Sequence, residues 1–368
     1  MIIIGVSGGV DSMVLLDKLY KEGHKIVIAH VNYQKRPDSF NDEIVIKKYI
    51  EDKDIIFEKK LIENYNDDNF QAQARHLRYD FYLELASKYK VNEVYLAHHK
   101  DDYLETYLFK KERTGLYEYY GIKEETTYQN VIIKRPLLSF YKEDLINYAL
   151  DNKIDYYEDS SNSTLDYTRN IIRDRLSKLS LEDKDKIFKE AELLNREVNL
   201  QIEFVNKQNE YKIEKNIFLS WQKDIQRRWL FKQIKKYDIT IRHLDDIISK
   251  IEATNSFKDT ILDTTIVLSY GTIYMLDFNY MDYYYVINEE NDYIKLTKYL
   301  FLNKYNYKLK ETSYPYPYVI RPYNEDDFIS LKSDYKRFRT RIKKNRIPTF
   351  LRDYLPVIEV EGRVQEFI

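Results

Sequence analysis

The chain has no cysteine, only eight glycines and seven prolines, and no apolar run near the roughly 18 residues that a membrane helix needs. Without cysteine there are no disulfides, no thiolate metal sites and no persulfide or iron–sulfur chemistry. No long low-complexity linker and no internal repeat is visible. Charge of one sign is also missing: 59 Lys and Arg stand against 61 Asp and Glu, a formal net charge of -2. A nucleic-acid partner would therefore have to be held by local basic patches. The N-terminal string MIIIGVSGG lacks the basic segment and small-residue cleavage site of a secretory leader. It reads as a buried strand entering a loop, and a cytoplasmic protein with no membrane segment is expected.

What is abundant is tyrosine, 37 residues in 368, alongside many Ile, Asn and Lys. That mixture reads as the codon bias of an AT-rich genome. Clusters such as Tyr280, Tyr283, Tyr284 and Tyr285 are accordingly given no base-stacking role. The length suits two or three domains with a real core.

Short, β-branched apolar runs at Ile2–Val6, Ile26–Val31, Ile55–Phe57 and Val94–Ala97 suit strands buried on both faces. Helix-like stretches begin near Asp11, Asn41, Phe70 and Asp101 between and after them. This βαβα alternation predicts an α/β domain with a parallel, Rossmann-like sheet covered by helices. Sites in such sheets lie outside the carboxyl ends of the strands. From Ser180 to about Lys250 the chain is charged and helix-like, with Trp221, Trp229 and Phe231 as expected core anchors. Strands are expected between Thr260 and Lys298, and from about Tyr318 basic helical sequence mixes with strands in a small α+β module. The expected division is 1–180, 181–300 and 301–368.

Ser7-Gly8-Gly9-Val10-Asp11-Ser12 follows the first strand directly and opens a helix. Two glycines let the backbone turn sharply and bring N–H groups to an anion. The Ser7 and Ser12 hydroxyls and the helix N-terminus add to that attraction. Asp11 would repel a bare phosphate, so its natural role is to hold Mg²⁺ against the phosphates. Taken alone, the same string also suits an ordinary capped strand-to-helix turn. The loop lacks the lysine of a Walker A motif.

The string resembles the SGGxDS loop of the PP-loop ATP pyrophosphatase superfamily, which cleaves ATP to AMP and pyrophosphate. Further blocks narrow the resemblance to the tRNA(Ile)-lysidine synthetases. His30-Val31-Asn32-Tyr33 with Arg36, Ser39 and Asp42 is similar to an HVNH…R…S…D block, with Tyr33 where His is usual and Lys35 where Leu is usual. Gln71-Ala72-Gln73-Ala74-Arg75 with Leu77-Arg78-Tyr79 is similar to QAEAR..RY. Ala97-His98-His99-Lys100-Asp101-Asp102 with Glu105-Thr106 matches AHHxDDxxET. Arg135-Pro136-Leu137-Leu138 matches RPLL, and Asp159-Ser160-Ser161-Asn162 with Arg169-Asn170 and Arg173 matches D.SN…RN..R. The tail, Lys343-Lys344…Ile347-Pro348…Arg352-Asp353…Pro356-Val357, resembles the family's C-terminal module, with Glu325-Asp326-Asp327 where Gly-Asp is usual.

The resemblance implies a ligase that uses ATP and Mg²⁺ to join L-lysine to the wobble cytidine of tRNA(Ile) with a CAU anticodon. The cytidine is adenylated first; AMP and pyrophosphate are released. It leaves a homodimer open. It puts Ser7, Gly8, Gly9, Val10, Asp11, Ser12 and His30 at the nucleotide. Asp102 and Glu105, three residues apart on one helix face, suit a lysine ammonium and its deprotonation; acidic residues at a helix start also simply favour the macrodipole. His98 is read as a polar contact to nucleotide or lysine. Zinc is rejected because adjacent side chains on an extended strand point apart. Arg169 and Arg173, at i,i+4, can face one phosphate group, and Arg75 and Arg78 can meet phosphate or tRNA. Between Lys332 and Arg352 the sole acid is Asp334, and aromatic residues interleave with bases. Lys336, Arg337, Arg339, Arg341, Lys343 and Lys344 of that run suit tRNA phosphates. The competing readings are a PP-loop amide-forming ligase acting on a small molecule and a tRNA-binding protein without activity.

Overall fold

The computed structural model describes residues 1–33, 40–62, 70–113, 115–157, 167–234, 239–261, 264–277, 283–293, 314–322, 324, 327, 348, 350 and 354–367. Packing divides the chain into two compact units, Met1–Asn199 and Leu200–Ile368.

The first unit is built on the expected strands. β1 (Ile2–Gly5), β2 (Ile26–Asn32), β3 (Ile55–Leu61) and β4 (Glu93–Tyr95) run parallel. β5 (Glu125–Tyr128) and β6 (Val131–Lys134) form a hairpin; β6 pairs parallel with β4, and β5 closes the edge antiparallel. The order across the sheet is β3-β2-β1-β4-β6-β5. β1 is thus the strand from which the chain proceeds first to one side, through β2 and β3, and then to the other through β4. That reversal opens a crevice at the carboxyl ends of β1 and β4.

α1 (Val10–Lys21), α2 (Phe40–Ile50), α3 (Phe70–Tyr89), α4 (Lys100–Glu112), α5 (Lys142–Asp151) and α6 (Tyr167–Ser177) follow in chain order, and α7 (Leu181–Asn206) reaches past the boundary between the units. One core joins Ile4, Ile28, Met13, Leu16, Leu137 and Leu145; a second, on the opposite face, joins Ile3, Val27, Tyr82, Leu85, Val94 and Ile133. Successive residues of one strand therefore serve opposite cores, which is why these strands read as continuous apolar runs. A third cluster packs Leu104 and Tyr107 of α4 against Ile172 and Leu176 of α6, fixing those two helices beside each other.

The second unit holds β7 (Lys212–Glu214), α8 (Lys215–Ser220), α9 (Lys223–Ile234), α10 (Ile241–Ala253) and two antiparallel sheets. β8 (Phe257–Ile261), β9 (Thr264–Ser269) and β10 (Thr272–Asp277) join β7 in the order β7-β10-β9-β8. β11 (Tyr285–Ile287), β12 (Tyr318–Pro322), β13 (Pro356–Val360) and β14 (Arg363–Phe367) form the other in sequential order. Trp229 is fully buried, as expected of an anchor. Trp221 and Phe231 are corrections: both stay partly exposed, Trp221 edge-on to Phe204 at 5.3 Å between ring centres. Among the described residues no helix is long and apolar enough to cross a membrane.

Candidate functional site

The loop after β1 is held by its own atoms. The Ser12 hydroxyl donates to the Gly9 carbonyl at 2.9 Å, so its oxygen accepts from the Ser7 N–H and the Ser7 hydroxyl, each at 3.2 Å. Both serine hydroxyls, expected as phosphate donors, therefore close the loop on itself. Gly8 has φ +91, and a Cβ there would stand 2.9 Å from the Asp42 Cα. A left-handed conformation and a backbone neighbour together exclude any side chain. Its carbonyl accepts from the Tyr157 N–H at 3.0 Å. Gly9 differs: a Cβ there would meet nothing nearer than 3.6 Å. Space is open above Gly9 at the N-terminus of the 12-residue α1, whose first-turn N–H groups lack intrahelical partners. An anion fits that cradle.

His30 lies beneath the loop. Its Nδ1 donates to the Val6 carbonyl at 2.9 Å, which fixes the tautomer, since a carbonyl only accepts. Burial lowers its pKa, so the ring is neutral, and Nε2 is buried without a partner. It braces the strand that carries the loop. Tyr33, in the usual histidine position, donates its hydroxyl to the Ala74 carbonyl at 2.9 Å and ties the end of β2 to α3.

Asp11 is not bare. Lys142 Nζ sits 2.7 Å from each of its carboxylate oxygens. His99 Nε2 is 3.8 Å from Asp11 Oδ2 and 3.5 Å from Asp102 Oδ2, while His99 Nδ1 is 3.7 Å from Asp101 Oδ2. These separations exceed hydrogen-bond length, so the buried ring is surrounded by three carboxylates rather than bonded to one. Asp102 also accepts from the His99 N–H at 3.0 Å, capping α4. Among the described residues no group of three His, Cys, Asp or Glu is placed to hold a metal. A magnesium ion bound partly by substrate phosphates needs only one or two carboxylates, and Asp11 beside the open cradle fits that donor set.

His98 faces elsewhere. It lines a cavity of ≈ 240 Å³ with Gly5, Val6, Ser7, Asp11 and Ser12 of the first strand and loop, Tyr33 of β2's end, and Arg75, Arg78, Tyr79 and Tyr82 of α3. Its pKa is pushed down to about 4, chiefly by burial, helped by Arg135, Arg75 and Arg78 and opposed by Asp102. The ring is neutral at pH 7, and its buried Nδ1 has no partner. Arg75 lies over the Tyr79 ring at 4.8 Å and donates to its hydroxyl at 3.1 Å. Arg135, 4% exposed, donates to the Lys123 carbonyl and Thr126 hydroxyl and leaves Nε buried without a partner.

Asp102 and Glu105 do not share a partner. Glu105, also buried, accepts from Arg173 Nη2 at 2.9 Å and Nε at 3.2 Å, and Arg169 Nε is 4.0 Å away. The two arginines expected to face one phosphate thus face one carboxylate, which joins α6 to α4. Arg36, Ser39, Asp159, Ser160, Ser161, Asn162, and Lys336, Arg337, Arg339, Arg341, Lys343 and Lys344 lie outside the described residues. The sequence reading missed His99 as the centre of the acidic cluster, and Lys142. Repulsion among clustered acids signals the need for a cation, but not which distant residue supplies it.

A family model described as a PP-loop domain matches residues 1–180. The tRNA(Ile)-lysidine synthase of Mesoplasma florum is 29% identical over 370 residues, covering 95% of this chain and 91% of that protein. The enzyme of the same name from Mycoplasma mycoides is 32% identical over 321 residues, covering 80% and 78%. Among solved structures, a U34-tRNA thiolase from Methanococcus maripaludis is similar at a TM-score of 0.44 and 17% identity, covering 53% of this chain and 71% of that one.

Two outcomes follow from this geometry. Gly8→Ala is expected to lower the thermal midpoint, because strain at positive φ costs about 1–3 kcal/mol. Gly9→Ala should fold normally yet lose at least about tenfold in ATP affinity, a charge-assisted contact or more; unchanged ATP binding in the folded Gly9 variant would remove the loop from the phosphate site. The second outcome concerns acid. His98 has a folded pKa below its ordinary 6.5, so the folded chain takes up fewer protons than the unfolded one between that value and about 4. Stability should be undiminished above about pH 6.5 and fall as the pH drops toward 4. His98→Gln should remove that part of the fall in urea unfolding at pH 7.5 and pH 5; an equal fall in both proteins would assign it to another group.

Proposed function

The chain belongs to the tRNA(Ile)-lysidine synthase family, and on that premise we propose that it ligates L-lysine to C2 of the wobble cytidine in the CAU anticodon of tRNA(Ile), consuming ATP. The observation that carries this reading is a cavity that brings together the loop, the α3 arginines and His98. Those three parts come from separate sequence blocks, and the reaction needs all three kinds of group.

The cytidine O2 attacks the α-phosphate, and pyrophosphate leaves. The lysine ε-amine then attacks C2, and AMP leaves carrying the former O2. The open space at Gly9 and the first-turn N–H groups of α1 receive the phosphates. Asp11 is the residue for Mg²⁺, which when bound neutralises phosphate charge. Neutral His98, with its unpartnered Nδ1, is free to make a hydrogen bond to substrate without adding charge. Arg75 and Arg78 hold phosphate or RNA at the cavity's other wall.

The ε-ammonium must lose a proton before it attacks, since free lysine has a pKa near 10.4. Asp102 is the better-placed of the two α4 carboxylates, because Glu105 is already met by Arg173. Glu105 then holds Arg173 and Arg169 in position. Segments 181–300 and 301–368, including the basic run from Lys332 to Arg352, are assigned to tRNA. The cytoplasm and a homodimer remain parts of this proposal.

Mass spectrometry of tRNA nucleosides after incubation with ATP, Mg²⁺ and lysine tests the reading. Lysidine in tRNA(Ile) is expected; pyrophosphate release from ATP without RNA would favour the small-molecule ligase instead. Asp102→Asn separates the steps, because asparagine preserves the cap. It should raise the lysine requirement roughly ten- to a hundredfold, with pyrophosphate release little changed. Lost pyrophosphate release with an unchanged lysine requirement would move Asp102 to the ATP site.

A further inference from the structure

The loop from Ser7 to Ser12 contains one carboxylate and no basic residue, yet it is assigned to a group that leaves as pyrophosphate. Charge building on a leaving phosphate has to be met by fixed donors or cations. Sequence offers no lysine within the loop to do this. The structure brings one from 131 residues away: Lys142 Nζ, 2.7 Å from both oxygens of Asp11.

We propose that Lys142 is the triphosphate-binding cation of this site, paired with Asp11 and transferred to the β- and γ-phosphate oxygens when ATP·Mg²⁺ arrives. This rests on the reading of the loop as an ATP site. Three features support it beyond the contact itself. The backbone of Lys142 is fixed: its N–H donates to Asp101 Oδ2 at 2.9 Å, and the Lys100 N–H donates to the Phe140 carbonyl at 2.8 Å, so the segments after β4 and β6 are tied together. Its side chain, in contrast, is 41% exposed, and that of Asp11 is 27% exposed. A partly exposed ion pair is weakly held, so the ammonium exchanges partners readily on its flexible stem.

The neighbouring cations are committed elsewhere. Lys184 is bonded to Asp101 at 2.6 Å, Lys100 to Asp185 at 2.6 Å, and Arg173 to Glu105 at 2.9 Å. Arg75 and Arg78 stand on α3, which lines the cavity's other wall. When ATP·Mg²⁺ binds, Asp11 exchanges an ammonium for the magnesium ion it is proposed to hold, and Lys142 exchanges a carboxylate for phosphate oxygens. Asp11 and Lys142 thus each have an opposite charge to meet both before and after the exchange.

The test compares wild type, Lys142→Met and Lys142→Arg, with Lys142→Gln replacing the methionine variant if that does not fold. Four quantities are read: the dissociation constant for ATP·Mg²⁺ by calorimetry without tRNA, pyrophosphate release with tRNA at saturating Mg²⁺, the lysine KM, and the Mg²⁺ concentration the reaction requires. The methionine variant should bind ATP·Mg²⁺ more weakly and release pyrophosphate roughly ten- to a hundredfold more slowly, with the lysine KM unchanged and most of the rate restored by arginine. Methionine-variant values within twofold of wild type would overturn the proposal. So would a full rate at a lowered Mg²⁺ requirement, which would make Lys142 only a competitor for Asp11. A wild-type chain that neither binds ATP nor releases pyrophosphate overturns the ATP reading, and this proposal with it.

Discussion

The position of β1 is the constraint on which the rest depends. It is the strand where the sheet order reverses, with β2 on one side and β4 on the other, so the segments that leave β1 and β4 diverge and leave room between them. The Ser7–Ser12 loop leaves β1, and His98, His99 and α4 follow β4. The chain passes to opposite sides of their junction. Gly5 shows how tightly the floor is packed: a Cβ there would lie 2.5 Å from the Tyr82 hydroxyl.

Electrostatics divides this crevice into two halves. Asp11, Asp101 and Asp102 surround His99, while burial above all, with Arg135, Arg75 and Arg78 and against Asp102, lowers the pKa of His98. Two adjacent histidines thus have different surroundings, carboxylates around one and a buried, arginine-lined cavity at the other, because consecutive side chains of extended backbone diverge. A near-neutral net charge conceals this separation. Cationic amine and anionic phosphate have to be brought together by the proposed reaction, and a divided field suits holding both without neutralising either prematurely.

Much of the first unit was legible in the sequence, for a physical reason. Strands buried on both faces read as unbroken apolar runs, and a loop needing positive φ at Gly8 admits little else. The β5–β6 hairpin was not legible: Glu125–Tyr128 is a short, polar edge strand whose membership depends on β6 already being in place. The pairing of Lys142 with Asp11 and of Arg173 with Glu105 was equally hidden. Spacing along a helix says which residues share a face, but not what stands opposite. The i,i+4 arginines do share a face; the partner across from Arg173 is a carboxylate of α4. Tyr33 shows another limit, since its hydroxyl works by reaching the Ala74 carbonyl in a different element.

The central claim is that the triphosphate of ATP sits on the loop after β1, in the crevice between β1 and β4. A crystal structure with Mg²⁺ and a non-hydrolysable ATP analogue tests it most directly. The account predicts phosphate oxygens over Gly9 at the N-terminus of α1, with Asp11 separated from Lys142 and turned to the metal. An analogue bound with its phosphates away from Ser7–Ser12 would contradict it.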